Sequence, residues 1–188
     1  MISHIMDEAM GFPADSYVCL DLPPPVGDAV MAVRRRHRDE FRAALPAEIT
    51  VAGSGGVGVI DPAEDRERVF ATLDRIAAET PPIQASFGPV IRFLNTDIFV
   101  LSLADPAPVR ALHERIARSG LRFRPVPFDF TPHCTLRSRS PVTEEEAADL
   151  LAVAIAGGFV LDAISVYMLD QPPMTLLHRA KLMGKRGA

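Results

Sequence analysis

The stretch Thr131-Pro-His-Cys-Thr-Leu-Arg-Ser-Arg139 gathers an imidazole, hydroxyls and two guanidinium groups into nine residues. Read as a strand, its side chains alternate between faces, so His133, Thr135 and Arg137 share one face and Cys134, Leu136 and Ser138 the other. The first face is chemical and the second can pack. His133 can hold or give a proton near neutral pH, Thr135 can donate to an anionic oxygen, and Arg137 supplies fixed positive charge. That combination suits a phosphate ester. A lone strand histidine is also a common structural residue, so its surroundings decide its role.

Upstream, Ser16-Tyr-Val-Cys-Leu-Asp-Leu22 is a β-rich run stopped by Pro23-Pro24-Pro25. Val26, Val30, Val33, His37 and Phe41 recur at helical steps, which predicts one helix with Arg34, Arg35, Arg36 and Arg38 largely outside its apolar stripe and His37 packed on it. After Pro46, Glu48-Ile-Thr-Val-Ala52 reads as a strand. Gly53-Ser-Gly-Gly-Val-Gly58 lacks the Lys-Ser/Thr ending of a triphosphate loop and is expected at the rim of a site instead. Asp61-Pro62-Ala63-Glu64 predicts a helix start, Ile83 to Val90 and Ile91 to Leu94 two strands, and Ile98 to Leu103 another after a turn at Asn95-Thr-Asp97. Asp105-Pro106 opens a helix that ends at Gly120, with His113 structural on its inner side.

Downstream, Thr143-Glu-Glu-Glu146 is a capping box ahead of Ala147, Leu150, Leu151 and Ala154. Phe159 to Leu169 and Met174 to Leu182 predict a closing β-hairpin. His4 and His178 have no partner motif, and the tail from Lys185 is expected to fray.

Composition bounds the class. With 188 residues, 48% hydrophobic and 23% charged, the chain fits one globular unit with a substantial core. The N-terminal residues resemble no leader and no segment is long enough to span a bilayer, so the expected address is the cytoplasm, away from membranes. Cys19 and Cys134 lack zinc-ligand or disulfide spacing and are read as reduced, buried thiols. A net charge of -4 argues against duplex DNA as partner. Between Arg110 and Arg139, however, seven arginines face only Glu114 and Asp129, a local excess of +5. Arg110, Arg115 and Arg118 read best as a solvated helix face.

The halves echo one another: strand 16–22, a helix and Glu48-Ile-Thr50 correspond to strand 98–103, a helix and His133-Cys-Thr135. Cys19 precedes Glu48 by 29 residues and Leu101 precedes His133 by 32. A repeated strand-helix-strand unit would set the two tripeptides on facing strands, with Thr50 and Thr135 meeting a phosphate from opposite sides.

With these residues in view, the chain from Ser16 to about Gly184 resembles the two-histidine phosphoesterase superfamily, which includes RNA 2',5'-ligase-like proteins and RNA cyclic phosphodiesterases. Members carry two His-x-Thr/Ser tripeptides on central strands of two pseudo-symmetric lobes. The second is intact here as His133-Cys-Thr135; in the first, Glu48 stands in the histidine's place within Pro46-Ala-Glu-Ile-Thr-Val51. The resemblance implies an α+β fold of two pseudo-symmetric βαβ-type lobes, approximately 16–80 and 98–156, with antiparallel sheets flanking a central cleft in a single bilobal domain over 1–188. It implies a cyclic phosphodiesterase acting on a 2',3'-cyclic phosphate or 2',5'-phosphodiester of RNA or nucleotides, with no metal and no cofactor. One imidazole of the pair takes a proton from water and the other gives one to the leaving oxygen. Here His133 fills one post, and Glu48 can serve as base when ionised or as acid when protonated. Thr50, Thr135 and Arg137 are the expected phosphate ligands, and the partner is a small nucleotide or RNA terminus. Two other readings stay open: a member that binds a nucleotide or RNA end without turnover, and a fold whose surface serves a protein partner.

Overall fold

Residues 11–185 are described by the computed structural model, and most apolar runs of the sequence become its strands. β1 (Asp15–Asp21) buries Val18 and Leu20, and prolines stop it before α1 (Val26–Arg36), α2 (Glu40–Ala43) and β2 (Glu48–Ala52). β3 (Val59–Ile60) and α3 (Arg66–Glu79) complete the first half. The second runs through β4 (Ile83–Arg92), β5 (Phe99–Leu103), α4 (Ala107–Ala117), β6 (Phe123–Arg124) and β7 (His133–Arg137). α5 (Glu144–Leu151), β8 (Gly158–Leu161), β9 (Ala163–Leu169) and β10 (Thr175–Lys181) follow.

Two antiparallel sheets result, ordered β10-β9-β1-β2 and β7-β5-β4-β8, with β3 and β6 forming a small ribbon. The fold is α+β, as the resemblance implied. α3 lies on β9 and β10 and α5 on β4, while α1 reaches across to β7 and α4 to β2. Each sheet therefore receives a helix from the other half of the chain, and the apolar core runs without interruption between them.

The repeat is visible in the register. Asp21, Leu20 and Cys19 pair with Glu48, Ile49 and Thr50; Ser102, Leu101 and Val100 pair with His133, Cys134 and Thr135. Each ladder then skips one residue at the same place: Val51 has no partner between Thr50 and Ala52, and Leu136 none between Thr135 and Arg137. Two bulges at matching positions bend both strands beyond their tripeptides.

Four expectations need correction. The helix expected over 26–41 breaks after Arg36: Arg38 adopts a φ of 53° and Asp39 caps α2, because its carboxylate accepts both Arg42 N at 2.9 Å and Ser138 N at 2.7 Å. The helix expected from Asp61 starts at Arg66 with Asp65 as cap, since Asp61 instead closes a turn onto Ala63 N at 2.8 Å. The two strands expected over 83–94 are one, β4, whose first part pairs with β8 and whose second part pairs with β5 after a register shift between Phe87 and Val90. Phe159 to Leu169 is two strands, because the chain crosses from one sheet to the other at Asp162. The Thr143–Glu146 capping box forms as read, and β9 and β10 make the closing antiparallel pair. His4 lies outside the described residues.

Candidate active site

β2 and β7 lie side by side at the junction of the two sheets, and a cleft of about 620 Å³ opens over them. Thr50 from β2 and His133 and Thr135 from β7 line it, together with Arg42 from α2. The glycine-rich segment contributes Ser54 and Gly55 to the rim, beside Pro127, Phe128 and Asp129. The two segments are joined there: Gly56 N donates to Phe128 O at 2.8 Å. Gly56 has a φ of +66°, and a Cβ there would overlap the ring of His113, so glycine is required on both counts.

His133 is half-buried and its orientation is fixed. Its Nδ1 lies 2.6 Å from Thr131 O, which makes Nδ1 the donor and leaves Nε2 with its lone pair. The ring meets Phe93 edge to face at 5.1 Å. Burial lowers its pKa below 6.5, an effect opposed by the Thr131 carbonyl and Glu48 and reinforced by Arg42, so the imidazole is neutral at pH 7.

Glu48 is buried behind the cleft wall, where its Oε2 accepts the Thr50 hydroxyl at 2.9 Å. It reaches the cleft through Thr50. Across the ladder Asp21 faces it, and the Asp21 carboxyl group is held by Ser165 Oγ at 2.6 Å, Tyr167 OH at 2.8 Å and Arg179 at 3.5 Å. Burial and that carboxylate raise the Tyr167 pKa.

Arg137 does not share the cleft with His133 and Thr135. Past the bulge at Leu136 its buried guanidinium donates to the carbonyls of His37, Arg139 at 3.0 Å and Pro141 at 3.3 Å. The cleft cation is Arg42, which the sequence reading did not single out; it is held by Ser138 Oγ at 2.9 Å. Burial lowers its pKa, Glu48 raises it and Arg34 lowers it further. The available signal was Asp39, a helix-cap residue in the middle of a periodic run.

Arg34, expected on the polar side, is completely buried. It donates from Nε and Nη2 to Thr135 O at 3.0 and 2.8 Å, and from Nη1 to the carbonyls of Arg42, Leu45 and Pro46 at 3.1, 3.1 and 2.9 Å. It thereby ties β7 to the segment that leads into β2. His113 stacks on Phe130 at 3.8 Å with its Nδ1 2.7 Å from Val51 O, a structural placement as expected. His178 has a partner that no motif announced, Asp74 at 2.7 Å, and stacks on Phe70. Cys19 and Cys134 are free, buried thiols, and burial pushes Cys134 up to about 11. Among the described residues no three His, Cys, Asp or Glu side chains are grouped as metal ligands.

The family model of the 2'-5' RNA ligase superfamily matches residues 22–173. The chain belongs to that superfamily. Its fold is similar to the crystal structure of TT0787 of Thermus thermophilus, with a TM-score of 0.65 at 16% identity over 92% of this chain and 100% of that one. It is also similar to Escherichia coli LigT complexed with 3'-AMP (TM-score 0.57, 18% identity, 90% and 98% covered) and with NADP+ (0.56, 21%, 91% and 98%). No curated protein matches the chain. Membership supports phosphodiesterase-type activity in general, and no helix among the described residues is long and apolar enough to cross a membrane.

Proposed function

We propose that this protein opens a 2',3'-cyclic phosphate or 2',5'-phosphodiester of a nucleotide or RNA end by general acid and base catalysis, with no metal in the chemical step. The observation that carries this reading is the tautomer of His133: Nδ1 is committed to Thr131 O, and Nε2 remains as a base beside the hydroxyls of Thr50 and Thr135. In the proposed step His133 Nε2 takes a proton from water as the water oxygen bonds to phosphorus. Thr135 and Arg42 hold the phosphoryl oxygens. The bond from phosphorus to the leaving 2'- or 3'-oxygen breaks; for this step Glu48 carries a proton and the Thr50 hydroxyl turns from Glu48 Oε2 to the leaving oxygen, giving its proton there as Glu48 passes its own to Thr50 Oγ. Each proton transfer is worth on the order of 10²–10⁴ in rate. The internal register supports Glu48 as the stand-in for the first histidine, since it occupies in β2 the place of His133 in β7. LigT complexes with 3'-AMP, ATP and NADP+ support a nucleotide ligand.

A second reading is favoured by one observation: Glu48 stands behind Thr50 and holds its hydroxyl, so the chain would bind a nucleotide or RNA end without turnover. Hydrolysis of a nucleoside 2',3'-cyclic phosphate separates the two. The enzyme reading expects turnover that survives chelator and disappears in His133→Ala. Turnover absent from the wild type and gained in Glu48→His would identify a lapsed enzyme, and a melting temperature raised by a cyclic or terminal phosphate would then establish the binding reading in its place.

A further inference from the structure

Beyond the phosphorus atom, the cleft is poor in positive charge. Among its lining residues Arg42 is the one cation and Asp129 the one carboxylate. The apolar part of the lining is formed by Phe93, which meets the His133 ring edge to face, and by Leu94, Ile98, Pro127, Phe128 and Phe130, with Leu94 87% and Phe128 67% exposed at the mouth. Asp129 lies between Phe128 and Phe130 in the chain, and none of the ion pairs among the described residues includes it. Beside these walls Arg110 donates to Phe130 O at 3.0 Å, and Arg92 pairs with Asp97. Sites that follow a single strand place cations along its backbone and aromatic faces against its bases. Here aromatic rings are present, and the lining offers one carboxylate, Asp129, and no cation beyond Arg42.

We infer that the cleft takes a ligand of one phosphate and one ring group, the size of a mononucleotide, and that Asp129 discriminates against a chain carrying a second phosphate. The inference rests on reading the cleft as a phosphate site, and it sets the substrate class of that site. Arg42 answers the phosphate, the apolar walls cover the ring, and Asp129 repels the phosphodiester that would lead to a neighbouring nucleotide.

The test is calorimetric titration of the full chain with adenosine 3'-monophosphate and with the dinucleotide ApA bearing the same 3'-phosphate. The mononucleotide is expected to bind about tenfold more tightly, the scale of one like-charge contact at partial solvent exposure. Asp129→Asn should bring the two within about threefold, as should raising the salt from about 50 to 500 mM, because screening acts on this contact. Equal or tighter binding of the dinucleotide by the wild type overturns the inference, as does a gap that Asp129→Asn leaves intact. Since binding is read directly, a preference for the mononucleotide together with no turnover of a nucleoside 2',3'-cyclic phosphate would sustain this inference while removing the catalytic reading. Failure of both ligands to bind would overturn both.

Discussion

His133 and Glu48 differ in what surrounds them, and that difference assigns their proposed work. Burial favours the neutral form of the imidazole and holds its pKa below the ordinary 6.5, so His133 is ready as a base at pH 7. In the proposed step the rate rises with pH as His133 loses its proton, so the pH profile of kcat/KM is expected to show a rising limb below pH 6.5. Glu48→Gln should lower the rate of nucleoside 2',3'-cyclic phosphate hydrolysis by about 10²-fold; an unchanged rate would remove Glu48 from the mechanism. Arg34 acts on the same site without touching it. Its guanidinium satisfies four carbonyls, and Arg34→Met would strand them in the interior at about 1–3 kcal/mol each where no water enters. A loss of at least about 3 kcal/mol is expected in urea denaturation, seen as a lower midpoint at unchanged slope.

At the scale of elements, the short α2 does the most for the site. Four residues make a poor helix by propensity alone, and α2 persists because Asp39 caps its first turn while also accepting Ser138 N at the end of β7. This bridge carries Arg42 into the cleft. Asp39→Ala leaves two amides without their charged acceptor and should cost about 2–4 kcal/mol in denaturant unfolding. The same variant should weaken 3'-AMP binding about tenfold, the effect of displacing one charge-assisted contact. Unchanged affinity would mean that Arg42 finds the cleft without its cap. Of these elements, β2 and the start of β7 were legible from the sequence, because alternation and flanking prolines mark them locally. The bulge at Leu136 was not: it is a property of the ladder with β5, and it sends Arg137 away from the face that alternation assigned to it. The break before α2 was hidden for a similar reason, since the group that draws Asp39 out of the helix lies 99 residues further along the chain.

At the scale of the molecule, two histidines tie stability to pH in the same direction. His37 is buried with its Nε2 unpartnered, and burial, aided by Arg36 and Arg137 and opposed by Asp149 and Glu146, lowers its pKa. A histidine with a depressed folded pKa binds its proton more readily when unfolded, so stability is retained above the unfolded value of about 6.5 and lost as pH falls below it. His133 contributes with the same sign. The melting temperature should therefore decline from about pH 7 to about pH 5, and His37→Leu should flatten that decline. A variant with the wild-type slope would place the titration elsewhere.

The sequence by itself determined the repeated strand-helix-strand unit, the strand at Glu48–Ala52 and the tripeptide at His133–Thr135, because periodicity, caps and prolines act between near neighbours, and the resemblance those motifs carry implied the α+β class. Only the tertiary structure decided which cation enters the cleft, which arginine is buried and which threonine is already engaged. Those outcomes depend on carbonyls, hydroxyls and carboxylates brought together across two sheets, and a guanidinium goes where such acceptors converge, whatever side of its helix the local pattern gives it.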